Sequence, residues 1–172
     1  MRRTLIVALG VAVAVAGLVG LMLVLSARDD SQLSAAPVGP GELQPDRGAS
    51  HDAAAQPSGA TPATSGTHRP DLVTRDRTTL TDDEIIHALE LGNVVILYDA
   101  PDPGTALERL QDDVSGPFDA ELAAAGQAVI LARRKGAGPA TALAWRRILK
   151  TDDPAAPELR VFAEAWLGRG LP

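Results

Sequence analysis

The sequence predicts an α+β domain, a small mixed sheet of three or four strands packed by helices, set after an N-terminal transmembrane helix and a disordered stalk. Three observations carry this. An uncharged apolar run fills residues 4–27, all five aromatics (Tyr98, Phe118, Trp145, Phe162 and Trp166) lie after residue 97, and strand-length apolar runs alternate with helical periodicities from residue 80 onward.

Residues 4–27 carry no charge and are built from Leu, Val, Ala, Ile and Gly. As a helix rising about 1.5 Å per residue, the run is long enough to cross a hydrocarbon core of roughly 30 Å. Arg2 and Arg3 precede it, and the positive-inside rule then holds the N-terminus in the cytoplasm and sends the rest outward. The run exceeds the length usual for a cleaved signal peptide, and Leu25-Ser26-Ala27 is a poor cleavage site. A retained single-pass anchor is therefore expected, with cleavage as the alternative, and the domain is placed outside the cytoplasm at the cell membrane. From Ser26 to about Pro70 the chain lacks aromatics and is rich in Ala, Ser, Gly and Pro, so it buries too little apolar surface to offset ordering entropy. The expected organisation is an anchor over 1–27, a flexible stalk over 28–49 and an extracytoplasmic domain over 50–172, with its compact core at about 80–170.

Within that core, Thr81-Asp82-Asp83-Glu84 reads as an N-cap followed by an acidic first turn and a capping-box Glu. Ile85, Ile86 and Leu89 give the helix its apolar face, and Gly92 is placed to end it. Val94 to Tyr98 is a continuous apolar run, suited to a strand covered on both faces. Asp102-Pro103 opens a second helix with Leu107, Leu110 and Val114 at helical spacing. A short helical piece runs from Phe118 to Ala125, and Ala128 to Ala132 reads as a second buried strand. Gly136 to Pro139 turns the chain, and Thr141 to about Leu149 is expected to return beside that strand as a hairpin. Leu159, Phe162, Trp166 and Leu167 mark an amphipathic last helix. If Leu72 to Leu80 adds a strand, the order suits a thioredoxin-like layer without its cysteines.

Composition excludes some functions. The chain has no cysteine, which removes disulfides, thiolate metal ligands and dithiol redox chemistry. Its net charge of −6 lies wholly in residues 71–172, and an acidic domain does not neutralise phosphates, so nucleic acid is not an expected partner.

Pro62-Ala63-Thr64-Ser65-Gly66-Thr67-His68 resembles the Pro-Pro-Thr-Ser-Gly-Pro-His mark of the bacterial domain-of-unknown-function family 3105, agreeing at five of seven positions. A second mark of that family, a His followed by Leu-Glu-His-Gly and an apolar strand ending in Tyr, is similar to His87-Ala88-Leu89-Glu90-Leu91-Gly92 and Val94 to Tyr98, with Leu91 at the second His. Thr141 to Trp145 and Phe162 to Gly170 resemble its Ala-Trp-Gly-Arg run and closing Gly-Arg-Gly, with Arg146 at the usual glycine. The resemblance starts at about His51; it implies an architecture and a motif loop comprising Thr64, Ser65, Gly66, His68, Glu90, Gly92, Tyr98 and Trp145, but no activity.

The only histidines, His51, His68 and His87, all fall in stretches of this resemblance. Neutral imidazoles suit copper and zinc, and a carboxylate can complete such a site. Glu84, three residues before His87 on one helical face, is the expected carboxylate, although it also has a capping role. Weighed against this, His68 bonding the loop backbone and His87 packing beside the strands is an ordinary structural use of histidine. Ser65 with His68 as nucleophile and base is disfavoured, since loop neighbours seldom reach that geometry. Arg133, Arg134, Lys135, Arg146 and Arg147 gather basic charge suited either to anionic headgroups or to a solvated strand end. The sequence alone thus ranks a non-enzymatic, membrane-tethered interaction domain for an envelope protein or wall component first, a cell-surface copper or zinc protein second and an envelope enzyme third.

Overall fold

A computed structural model describes residues 38–52 and 62–171. The expected anchor over 4–27 lies outside these residues, and none of the described helices is long and apolar enough to cross a membrane.

The fold is α+β, with a five-stranded mixed sheet where three or four strands are expected. Its strands are β1 (Glu42–Leu43), β2 (Val94–Tyr98), β3 (Val129–Arg133), β4 (Ala140–Ala144) and β5 (Arg147–Thr151). The helices are α1 (Asp82–Leu91), α2 (Gly104–Val114), α3 (Ala120–Ala124) and α4 (Pro157–Trp166). The strands lie in the order β1-β5-β4-β2-β3. β2 and β3 run parallel with Val94 opposite Val129, joined by the crossover through α2 and α3, while β4 pairs antiparallel with both β2 and β5.

Period-two alternation divides the interior between the two sheet faces. Val95, Leu97, Ile130, Ala132 and Leu143 point into one cluster, where Ile85, Ile86, Ala88 and Leu89 of α1 cover them. Val94, Ile96, Tyr98, Val129 and Leu131 point into the other, beneath Leu107 and Leu110 of α2 and Leu159, Phe162 and Trp166 of α4. Strand β2 is buried along its whole length, as its unbroken apolar run requires.

Two expectations about the sheet are corrected. The hairpin does not join β3 to β4; the chain leaves β3, passes the Gly136 to Pro139 turn and enters on the opposite side of β2. The hairpin joins β4 to β5, with Trp145-Arg146 as a two-residue turn inside what reads as one strand. Arg146 takes the left-handed conformation at φ 57, which is why a glycine suits this position of the resemblance. Leu72 to Leu80 does not form a strand but contributes one parallel bridge, Thr78 to Ala132, on the outer edge of β3.

The stalk boundary also moves. Residues 39–49, expected as tether, pack against the domain, and the compact unit begins at Gly39. Glu42 and Leu43 pair with Ile148 and Arg147, covering the free edge of β5. The Trp166 indole N–H donates to the Pro40 carbonyl at 2.9 Å. A Cβ on Gly41 would stand 2.6 Å from the Phe162 ring, so the missing side chain is what lets the backbone lie flat on α4.

Candidate metal centre

Helix α1 is the fixed element of the site. The Thr81 hydroxyl accepts from the Glu84 N–H at 3.2 Å, and the Glu84 carboxylate accepts from the Thr81 N–H at 2.8 Å, closing a capping box. At the other end Gly92 ends the helix at φ 114, and the Glu90 carbonyl accepts from the Leu171 N–H at 2.9 Å. The closing Gly168-Arg169-Gly170 segment lies against this end: a Cβ on Gly170 would meet the Glu90 carbonyl oxygen at 2.0 Å. His87 and Glu90, three apart, leave α1 on one face.

The other two histidines reach that face from the N-terminal side of the domain. Residues 48–52 and 64–68 run side by side through bonds from Gly66 N–H to Gly48 O, His68 N–H to Ser50 O and Asp52 N–H to His68 O, at 2.8 to 3.1 Å. His51 and His68 face each other in this parallel bridge. The paired segments form a strap, which Arg69 fastens to α1: its N–H and Nε donate to the two carboxylate oxygens of buried Asp83 at 3.1 and 2.7 Å.

His51, His68, His87 and Glu90 therefore converge, with one potential ligand atom from each within 4.8 Å of all the others. A single oxygen, Oε2 of Glu90, lies 2.8 Å from His51 Nε2, 3.0 Å from His68 Nε2 and 3.3 Å from His87 Nδ1. His68 Nε2 and His87 Nδ1 are 3.3 Å apart. Burial is graded: the His68 side chain is 0% exposed, His87 10%, Glu90 15% and His51 45%.

The protonation pattern follows from one neighbour. His68 Nδ1 lies 2.9 Å from the Gly66 carbonyl, which only accepts, so Nδ1 carries a proton and Nε2 is the nitrogen that faces Glu90. A lone pair 3.0 Å from a carboxylate oxygen is repulsive unless a proton or a cation stands between them. Burial pushes the His87 imidazole below its ordinary value, against the hydrogen bond and charge of Glu90, while His68 and His51 lower it further. Burial opposes ionisation of Glu90, yet the hydrogen bonds and charges of the three histidines together hold its carboxyl below the usual range. A divalent cation would take these nitrogens in their neutral form beside the ionised carboxylate, in place of the protons between them.

Glu84 does not join this group, because its carboxylate is bound at the helix cap one turn before His87. Glu90 takes the equivalent place one turn later. It sits at the same three-residue spacing from His87, a signal as readable in the sequence as that of Glu84. The remaining motif residues are structural: Thr64 O accepts from the Arg146 N–H at 3.0 Å, and Ser65 Oγ donates to Pro45 O and accepts from the Arg47 N–H at 3.2 and 3.1 Å. With its hydroxyl so engaged, Ser65 ties Pro45 and Arg47 to the strap. Tyr98 and Trp145 are core side chains on opposite sheet faces. Of the basic residues, Arg134 pairs with Asp82, Arg146 with Asp46, and the Arg147 guanidinium lies 4.9 Å from the centre of a Trp166 ring. The open cleft lined by Thr79, Leu80, Asp99, Arg133, Arg134 and Lys135 holds none of the histidines.

The comparison with curated proteins and the comparison with solved structures each gave no match. The model of the family described as "Protein of unknown function (DUF3105)" matches residues 55–170, which include His68, His87 and Glu90, and the chain belongs to that family.

Proposed function

We propose that this protein is a metal-binding domain of the cell envelope, tethered by residues 4–27 and holding one zinc or copper(II) ion between His51, His68, His87 and Glu90. The observation that carries this reading is the meeting of three imidazole nitrogens within 3.3 Å of one carboxylate oxygen, with His68 Nε2 turned inward by the contact of Nδ1 with Gly66. A cation at that point would be held by all four groups at once, and the Gly66 bond is the kind of outer contact that orients a ligating histidine.

The donor set names the metal class. Three nitrogens and one oxygen without sulfur suit zinc and copper(II), and give no soft ligand for copper(I). In a tetrahedral site with bonds of about 2.0 Å, ligand atoms stand about 3.3 Å apart. Four of the six separations among the ligand atoms, 2.8, 3.0, 3.3 and 3.3 Å, lie near that edge, and all six are within 4.8 Å.

This reading moves above the interaction-domain reading because the geometry supplies a chemical role for all three histidines. An acidic domain also concentrates cations near its surface. Isothermal titration of the purified full-length protein with zinc and with copper(II) tests it. One ion per chain bound more tightly than micromolar, and lost in His68→Ala, is expected; absence of binding to the unaltered protein rejects it.

A further inference from the structure

The four donors are not equally held. His68 is fully enclosed and its ring is fixed by Gly66. His87 and Glu90 are nearly enclosed and stand on a helix stopped at both ends. His51 differs in each respect. Its side chain is 45% exposed, and its Nδ1 makes no hydrogen bond among the described residues. Its ring stands edge-on to those of His68 and His87, with centroids 4.9 and 5.4 Å away.

Resting on the metal reading above, we infer that His51 is the exchangeable ligand and that the domain carries its ion as cargo, passing it to an incoming imidazole or carboxylate donor. A tetrahedral site whose four ligands are all buried holds its ion permanently, whereas three fixed ligands and one replaceable position define an open site. The exchange is a ligand substitution without redox change. The metal–Nε2 bond to His51 breaks as a bond to the incoming donor forms, and His51 Nε2 takes up a proton from solvent or from that donor. His68, His87 and Glu90 keep the ion until a second substitution removes it. The partner fitted to this chemistry is a metal acceptor presenting nitrogen or oxygen ligands at the strap.

Cobalt(II), whose visible bands report coordination, and zinc serve as probes on the full-length protein and on His51→Ala, with His51→Gln as a second variant should alanine lower the melting temperature. Both variants are expected to bind one cobalt(II) ion per chain and, unlike the unaltered protein at the same concentration, to show a saturable band shift with free imidazole. Zinc release to a chromophoric chelator is expected to be roughly tenfold or more faster in the variants, since even an outer-shell partner is worth that much. In the unaltered protein the release rate is expected to rise with chelator concentration. Loss of all binding in both His51 variants, or release that is independent of chelator and no faster in the variants, overturns the cargo inference and leaves the metal reading standing. Failure of the unaltered protein to bind either ion overturns both.

Discussion

Asp83 in the first turn of α1 takes two hydrogen bonds from Arg69, the residue directly after His68, at 3.1 Å from the backbone N–H and 2.7 Å from Nε. This contact fixes the strap to the helix at the point where the most buried histidine enters the site. Asp83 belongs to neither the ligand set nor the main apolar face, yet it is 3% exposed because it holds the two ligand-bearing segments together.

Asp83→Ala is therefore expected to weaken zinc affinity by about 10- to 100-fold while leaving all four donors in place, the range seen for outer-shell partners of metal ligands. Calorimetric titration checks this. An affinity equal to that of the unaltered protein would show that the strap docks without the Arg69 contact.

The Trp145-Arg146 turn makes a prediction about the fold itself. Arg146 holds φ 57, and its side chain reaches Asp46 at 3.1 Å and the Gln44 carbonyl at 3.4 Å. Arg146→Ala keeps the left-handed strain and loses those bonds, whereas Arg146→Gly loses the bonds and relieves the strain. The alanine variant is expected to be less stable than the glycine variant by about 1 kcal/mol in urea unfolding. The reverse order would mean that the turn does not need the left-handed residue.

Gly92 closes α1 two residues after Glu90, and a Cβ there would meet backbone atoms of Gly168, Arg169 and Gly170 at 3.1 to 3.2 Å. Gly92→Ala is expected to lower stability by more than about 1 kcal/mol, because φ 114 is closed to alanine. Displacement of the helix end also carries Glu90 away from the histidines, so zinc affinity should fall together with the melting temperature.

The metal-free domain should lose stability on acidification. The His87 value is lowered by burial, and that of Glu90 is lowered by its histidine partners in spite of burial, so for both groups the folded state binds fewer protons than the unfolded chain. For His87 the penalty is absent above the ordinary imidazole value of about 6.5 and grows as pH falls below it. For Glu90 the stabilisation is present above the ordinary carboxylate value of about 4.3 and is lost as pH drops through the folded value. The melting temperature is expected to fall from pH 7 to pH 4 through His87, more steeply in Glu90→Gln, where no carboxylate supports the imidazolium; Glu90 itself adds to the loss only below the ordinary carboxylate value. An equal slope in the two proteins would remove Glu90 from the account. Zinc should steepen the dependence, since protons compete for the same nitrogens.

Zinc in excess should raise the melting temperature in proportion to the logarithm of its concentration, because the site joins elements that unfolding separates. His51, with its exposed ring, should contribute least to this shift and His68 most. An identical loss in His51→Ala and His68→Ala would contradict the graded burial of the ligands.

The helices were readable because each carries its own signals: the capping box at Thr81 and Glu84, the spacing of Leu107 and Leu110, and that of Leu159, Phe162 and Trp166. Strand pairing was less so. Val129 to Arg133 and Ala140 to Ala144 are both buried strands around a glycine-rich turn, and local pattern does not say on which side of β2 the second enters. The docking of residues 39–43 left no hydrophobic signature, because it depends on glycines lying against Phe162 and Trp166 and on main-chain pairing to β5. At the site, all three histidines were legible, but the carboxylate was not settled by spacing: Glu84 and Glu90 each stand one turn from His87, and only the capping role of the first and the approach of the strap to the second separate them.

Diffraction data collected at the zinc absorption edge from crystals of the protein loaded with one equivalent of zinc test the central claim most directly. An anomalous peak within about 2.0 to 2.2 Å of nitrogens of His51, His68 and His87 and an oxygen of Glu90 is the predicted result. A peak elsewhere on the domain, or no peak from a crystal whose four side chains are well ordered, would contradict it.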